Sequence, residues 1–359
     1  MNQPENPQVT VLLCVYNGEK TILQAVNSIL SQSFQDFELL IIDDGSTDHT
    51  VDLLIGYSRR IRLIRESHKG LVGCLNLGIQ MAHGEYIARM DADDISAPNR
   101  VKTQVEFLNR HPEIGIVGSI ALLIDTKDQV IGRIPVPESD LEIRWAILFQ
   151  CPMIHPSVML RRKLLIEQKL FYSSDFIHAE DYDLWTKLIK TTKFYNIQLP
   201  LLYYRIHPTS VTKINREISD QNQICISRRT IQTEFPQEKI DEDAVCNLAR
   251  VVCAGIRAEK DLFFCRAKLS GLYFDLWDLF YDRYKQADGI RAARINVVIK
   301  GCKLVFIPPL QKGAGEKIKR IWMIDRNWVW ILIISMFDSL KTFIKREKIQ
   351  KPFQTSGIN

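Results

Sequence analysis

Two carboxylate clusters stand where apolar runs end. Asp43 and Asp44 follow Leu39-Leu40-Ile41-Ile42 and open the stretch Gly45-Ser46-Thr47-Asp48, and Asp91-Ala92-Asp93-Asp94 follows Glu85-Tyr86-Ile87-Ala88-Arg89-Met90. An apolar run that breaks into acids and a Gly-Ser turn predicts a buried strand running into a polar loop. In open α/β sheets, ligands bind outside the carboxyl ends of the strands. Oxygen ligands placed there suit a hard divalent ion such as Mg2+ or Mn2+, and such ions usually arrive with a substrate's phosphates. The residue types and their positions therefore predict a nucleotide-diphosphate site.

An acid after the second strand, here Asp44, can accept hydrogen bonds from a base or a ribose, whereas Asp48 is the better placed helix cap. Ser96 and Pro98 supply a turn signal directly after the second cluster. A third acidic pair, Glu180-Asp181, opens a predicted helix after the polar stretch Ser173-Ser174-Asp175. Carboxylates are favoured at a helix N-terminus by the macrodipole, so a capping role and a proton-accepting role both fit them. Asp183 is expected to face solvent.

The elements that must hold these acids alternate in type. Residues 9–15 read as a strand, 16–18 as its turn, and 19–33 as an amphipathic helix with Ile22, Val26, Ile29 and Leu30 on one face. A second strand spans 37–43. The next helix, with Ser46 or Thr47 as its cap, ends near residue 59. Residues 61–65 and 85–90 read as strands around a helix over 70–82. This alternation demands a mostly parallel sheet with right-handed crossovers. A helix over 100–109 stops at His111-Pro112, and residues 114–119, 121–125, 157–160, 194–197 and 201–204 read as further strands. Pro135 and Pro137 mark a loop, and residues 181–190 a short helix. Beyond residue 212 the pattern is helical.

The chain has 359 residues, enough for one large α/β domain with an appended region. Its 46% hydrophobic and 25% charged content is that of a folded protein. Charge is uneven. Residues 300–351 hold twelve Lys or Arg against four Asp or Glu, a net +8 in a chain of +5, so the rest is net −3. Such a tail is either a solvated helical surface or a contact for an anionic membrane. The longest apolar run there, residues 328–337, falls short of the ~20 residues needed to span a bilayer, and reads as a buried or an interfacial helix. None of the eight cysteines forms a Cys-x-x-Cys pair, and the first eight residues lack the apolar core of a signal peptide. A cytoplasmic protein with buried thiols is the expectation, peripheral to the inner face of the membrane if the tail binds lipid.

Five motifs occur in order: Val11-Leu12-Leu13-Cys14-Val15-Tyr16-Asn17-Gly18, Ser28-Ile29-Leu30-Ser31-Gln32-Ser33, Ile42-Asp43-Asp44-Gly45-Ser46-Thr47-Asp48, Asp91-Ala92-Asp93-Asp94, and Glu180-Asp181-Tyr182-Asp183-Leu184-Trp185. Over residues 8–215 this ordered set resembles the family 2 glycosyltransferases, of the type that assembles bacterial cell-surface polysaccharide. The resemblance implies the α/β GT-A fold, a mostly parallel central sheet flanked by helices. A transferase domain is expected over residues 1–215. A helical region over 216–359 would meet the acceptor or a membrane, aided by Trp322, Trp328 and Trp330.

The same resemblance implies roles. Tyr16 stacks on the nucleotide base and Asp44 contacts it. Asn17 and Asp91 face the nucleotide sugar, and Arg205 offers charge-assisted hydrogen bonds to phosphate. Asp93 binds Mg2+ or Mn2+, with His207 near the diphosphate and metal. Of Glu180 and Asp181, the family pattern favours Asp181 as the general base. His155 is expected on the acceptor side and His68 near the diphosphate, in each case against a plain structural role. Leu75 stands where the family often carries Arg, so one phosphate contact is missing from the pattern.

The implied reaction is inverting, metal-dependent transfer of one sugar, of the hexosyltransferase type. The donor is a nucleotide-diphosphate sugar and the acceptor a glycan or lipid-linked hydroxyl. No nucleic acid is involved. The Gln-x-x-Arg-Trp motif of processive synthases is absent, since Arg144-Trp145 follow Leu141 rather than Gln. The phosphate-binding Gly-rich loops of ATPases and dehydrogenases are absent too. Two alternatives stay open. A nucleotidyltransferase should carry a Gly-rich loop with Lys or Arg after the first strand, where this chain has Cys14-Val15-Tyr16-Asn17-Gly18-Glu19. A non-catalytic nucleotide-sugar or glycan binder on a degenerate scaffold would not need intact Asp44, Asp91, Asp93 and Asp181.

Overall fold

The computed structural model describes residues 4, 6–207, 215–238, 240–254, 266–287 and 290. Two compact units are present, one over residues 1–238 and 252–254, the other over 239–251 and 255–359. The first contains a nine-stranded mixed sheet. Its strands are β1 (Val9–Val15), β2 (Phe37–Asp43), β3 (Arg62–Arg65), β4 (Tyr86–Asp91), β5 (Ile95–Ser96), β6 (Ile114–Ile124), β7 (Val130–Ile134), β8 (Met159–Arg161) and β9 (Lys193–Arg205). The order is β3-β2-β1-β4-β8-β6-β9-β5, with β7 beside β6. β3, β2, β1 and β4 are parallel. From β4 onward the pairing is mixed, because β8 runs antiparallel to both β4 and β6 while β6 and β9 run parallel.

Two helical layers cover the sheet. Alternate residues of a strand face opposite sides. Val9, Val11, Leu13 and Val15 of β1 accordingly pack against α1 (Ile22–Leu30) and α4 (Arg100–Arg110), while Leu12 packs with α3 (Gly70–Met81). The second layer also receives α5 (Asp140–Ala146), α6 (Arg162–Glu167) and α7 (Glu180–Leu188). A long helix from beyond residue 215, α8 (Arg216–Glu234), buries Ile226 in that layer too. The chain leaves β1 toward β2 and β3, then returns across it to β4. The order thus reverses between β1 and β4, and that switch point is where open α/β sheets bind ligands. Close backbone packing fixes the return, since a Cβ on Gly84 would lie 2.3 Å from the Thr10 amide nitrogen. The second unit holds residues 242–251 of α9 (Glu242–Ala254) and all of α10 (Arg266–Tyr284), whose Trp277 and Phe280 rings stack at 5.8 Å.

Several local expectations need correction. Residues 114–124 form one strand rather than two, and so do 193–205. The apparent breaks are register shifts around Ile120 and the exposed stretch at Gln198, Leu199 and Pro200, which bend the pair without ending it. The first helix is shorter than 19–33, because a turn from Gly18 precedes Ile22. Neither Ser46 nor Thr47 caps α2 (Thr50–Ile55). The N-cap is His49, which makes no side-chain capping bond, while Asp48 just before it accepts from the Thr50 amide at 3.0 Å. Helix α5 adds to the expected elements, and Ser139 and Glu142 form its complete capping box. Strand β7, mostly exposed, offers no apolar alternation to read. Cys14, Cys74, Cys151, Cys225 and Cys246 are free thiols. No helix among the described residues is long and apolar enough to cross a membrane. The basic tail and its three tryptophans lie outside the described residues.

Candidate active site

Three strand ends converge at the switch point. After β1, Asn17 adopts the left-handed conformation at φ 52° and ties two loops together. Its amide donates to Ser46 Oγ at 2.9 Å, and its Oδ1 accepts from the Thr47 amide at 2.8 Å. Gly45, at φ +77°, lets the second loop pass close to the backbone at Glu66 and His68. Tyr16 is half exposed, and its ring lies 4.4 Å from that of His68. The two rings form an open aromatic ledge.

Asp44, at the end of β2, is only 4% exposed. Its carboxylate accepts from the amides of Lys69 at 2.6 Å and Gly70 at 3.0 Å and from the Cys74 thiol at 3.2 Å. His68 Nδ1 lies 2.9 Å away. Four donors from this chain surround one carboxylate, so Asp44 fixes the loop that begins α3. Leu75 is buried in the core, and Asn76 beside it exchanges two hydrogen bonds with the backbone of Tyr172.

Beyond β4 the chain turns so that carboxylate oxygens of Asp91, Asp93 and Asp94 lie within 4.8 Å of one another. Asp94 is buried, and among the described residues its Oδ2 has no hydrogen-bond partner. Burial, then the charges of Asp91 and Asp93, push its carboxyl well above the usual range. Asp91 is also raised, first by burial and then by Asp93 and Asp181, against the opposing Arg89. An orphaned buried oxygen among mutually repelling carboxylates is what a bound divalent cation would resolve. His207 Nε2 stands 3.0 Å from Asp93 Oδ2, on the same side. The residues present fit Mg2+ or Mn2+. The position of Asp94 in this cluster was not assigned from sequence.

Arg205 is placed beneath this loop and not in the open. Its guanidinium donates to the carbonyls of Asp93 at 2.8 Å and Asp125 at 3.1 Å, to Asp128, and to Gln24 Oε1 at 2.7 Å. Its amide donates to Asp94 Oδ1 at 2.8 Å. With its donors committed to the chain, Arg205 acts as a strut for the acidic loop.

Glu180 and Asp181 occupy the first turn of α7. Asp181 Oδ1 accepts from the Tyr182 amide at 2.7 Å, and its charge is felt at Asp91. Burial raises its carboxyl above the ordinary value. Glu180 is raised to about 7, by burial and then by Asp181. Asp183, expected in solvent, is fully buried. His155 Nε2 lies 2.8 Å from the Tyr172 hydroxyl, and burial, then Arg89, keeps the imidazole neutral. Arg89 went unassigned from sequence. It is 6% exposed, and it meets Asp91 as a charge contact without an aligned hydrogen bond at Nη1. Its positive charge lowers both Glu180 and Asp181. The readable signal was one arginine inside an apolar strand.

The acid pair has a stability consequence. Between about pH 4.5 and about 7, the unfolded chain releases the Glu180 proton while the folded chain retains it. Stability contributed by this group therefore falls as pH rises through that window and levels above it. Glu180→Gln is expected to raise the melting temperature at pH 7.5 relative to wild type, with the gain shrinking toward pH 4.5. Melting curves across this range that stay parallel would contradict the assignment.

The family model for Glycosyl transferase family 2 matches residues 10–167. An uncharacterized glycosyltransferase of Haemophilus influenzae is 30% identical over 239 residues, covering 63% of this chain and 73% of that one. The putative glycosyltransferase EpsE of Bacillus subtilis is 32% identical over 239 residues, covering 64% and 84%. The crystal structure of S. aureus TarS 1-349 in complex with UDP-GlcNAc superposes with a TM-score of 0.53 at 15% identity, over 90% of this chain and 92% of that chain. The architecture is the GT-A type. Its acidic clusters lie at the switch point between β1 and β4, within a segment matched to sugar-transferring relatives. On this evidence the chain is a glycosyltransferase and belongs to glycosyl transferase family 2.

Proposed function

We propose that the protein transfers a single sugar, with inversion and with Mg2+ or Mn2+, from a nucleotide-diphosphate sugar to an acceptor hydroxyl. The observation that carries this reading is the cluster Asp91, Asp93 and Asp94 at the switch point, within electrostatic reach of Asp181 on α7. A donor of this class is supported by the UDP-GlcNAc bound to the TarS structure of the same fold. Tyr16 offers its exposed face to the base. Asn17 and Asp44 hold the two loops that flank the base, and Asp91 faces the ribose and sugar. Asp93, His207 and Asp94 would hold the cation, with Arg205 keeping their loop in place. When bound, the cation neutralises charge on the departing diphosphate.

The chain's own chemistry is proton transfer. Asp181, with a carboxyl raised above its ordinary value, accepts the acceptor's proton as its oxygen attacks the anomeric carbon. Attack opposite the leaving diphosphate inverts that carbon. We assign the region after residue 215 to the acceptor side, and the basic tail to an anionic membrane surface. The acceptor is then a glycan or lipid-linked hydroxyl in surface polysaccharide or glycolipid assembly, made at the inner face of the membrane.

Release of nucleoside diphosphate from UDP-GlcNAc, UDP-Glc, GDP-Man and dTDP-Glc, with Mn2+ and with EDTA, tests the reading. Metal-dependent release from one donor is the expected result. Calorimetry on the same samples showing no metal-dependent binding of any of them would point to a degenerate scaffold.

A further inference from the structure

Helix α8 begins well past the segment that the family model matches. It carries no continuous apolar stripe, yet Ser219, Asn222, Ile226 and Arg229 recur at spacings of three, four and three and so share one face. Every one of them holds the stretch that bears Glu180 and Asp181 or the core beneath it. Ser219 Oγ donates to the carbonyl of His178 at 2.9 Å, and Asn222 Nδ2 to that of Ile177 at 2.8 Å. Ile226 is fully buried in the cluster containing Tyr182, Leu184 and Trp185. Arg229 meets Asp183 Oδ1 through Nη2 at 2.7 Å as a charge contact without an aligned hydrogen bond, donates to Thr186 Oγ1 at 2.9 Å, and lies over the Phe176 ring at 5.1 Å.

Arg229 thereby grips the chain on both sides of Asp181. Phe176 lies in the turn before the helix, and Asp183 and Thr186 lie in the helix itself. The buried Asp183 carboxylate has a second partner in Lys187 at 2.6 Å. Breaking a buried pair by removing one partner is costly, because the charge left behind stays desolvated. The entry to α7 also needs holding, since His178 sits in the left-handed region at φ 66°. Ordinary helix packing would bury apolar side chains here. This face instead spends polar groups on the backbone and the acids of one short segment.

We propose that α8 is a brace for the proton-accepting segment and that Arg229 is its principal positioning residue, setting where the Asp181 carboxylate stands relative to the donor. The inference rests on Asp181 being the base. A misplacement of about 1 Å in a reacting group can cost roughly 100-fold in rate, so a brace at this point matters to turnover more than to donor binding.

Hydrogen exchange of the full chain tests the brace without any ligand. Wild type, Arg229→Ala, Arg229→Lys and Asn222→Ala are compared at the amides of residues 174–188. Arg229→Ala should exchange about tenfold or more faster there, with β1, β2 and β4 unchanged. Arg229→Lys should recover part of the protection, because it keeps the charge toward Asp183 but not the planar contact on Phe176. Should Arg229→Ala fail to fold, the two milder variants must show graded loosening in the same window.

Turnover is then read with Mn2+ on UDP-GlcNAc, UDP-Glc and GDP-Man, beside Asp181→Asn. Arg229→Ala should lower kcat by about 10- to 100-fold with the donor KM within about twofold. Unchanged exchange over 174–188 overturns the proposal, and so does full kcat in a variant whose segment has loosened. Turnover retained by Asp181→Asn would sink the base assignment instead, leaving the exchange data to decide the brace.

Discussion

Asp181→Asn is expected to lower transfer by about 10²–10⁴-fold, the usual worth of a positioned general base, while the protein still binds its donor. The substitution is nearly isosteric. An amide oxygen can keep the hydrogen bond from the Tyr182 backbone, now 2.7 Å. What disappears is the proton acceptor and a buried negative charge. That charge opposes ionisation of Asp91, so its removal leaves Asp91 more easily ionised and donor affinity equal or slightly better. Thermal stability should hold or rise, because a charge that burial disfavours is gone. A large fall in kcat with unchanged donor KM and an undiminished melting temperature would mark an interaction made only in the transition state. Turnover within tenfold of wild type would move the role to Glu180, whose own carboxyl titrates at about 7.

The division between what could and could not be read from the sequence follows physical lines. Strands β1 and β2 were legible because both are almost wholly buried and read as apolar runs, interrupted only by Thr10 and Glu38, that end in acids or a turn. Asp91 and Asp93 were legible because a turn after a strand brings nearby acids together. Asp94 was harder, since only the packing of β9 over the loop shows that its carboxylate points inward beside Arg205. The placement of Arg205 depends on Gln24, Asp93, Asp125 and Asp128, partners up to 181 residues away, which spacing cannot reveal. Asp183 looked like a solvated helix acid. Its two cationic neighbours are Lys187 on its own helix and Arg229 on a helix whose inward face mixes Ser219, Asn222 and Arg229 with Ile226 and so shows no continuous apolar period.

The other large effect concerns the cation, and its sign depends on whether metal is present. Asp93→Ala removes one of three crowded carboxylates. In EDTA the variant should melt at or above the wild-type temperature, because Asp93 is one of the charges that raise Asp94 and Asp91. Loss of the contact with His207 is a small debit against this, since both side chains are partly solvated. With Mn2+ the order should reverse. Wild type gains stability by mass action from any ion that binds only the folded chain, whereas the variant gains little. Even outer-shell changes cost about 10–100-fold in metal affinity, so deleting a direct oxygen ligand should weaken Mn2+ by roughly 100-fold or more. Metal-dependent donor binding should vanish with it. The crossing of the two melting series is what separates a metal site from a merely acidic loop, for which Mn2+ would shift both proteins alike. If Asp93→Ala melts lower in EDTA and gains as much from Mn2+ as wild type, the cation is not held by Asp93.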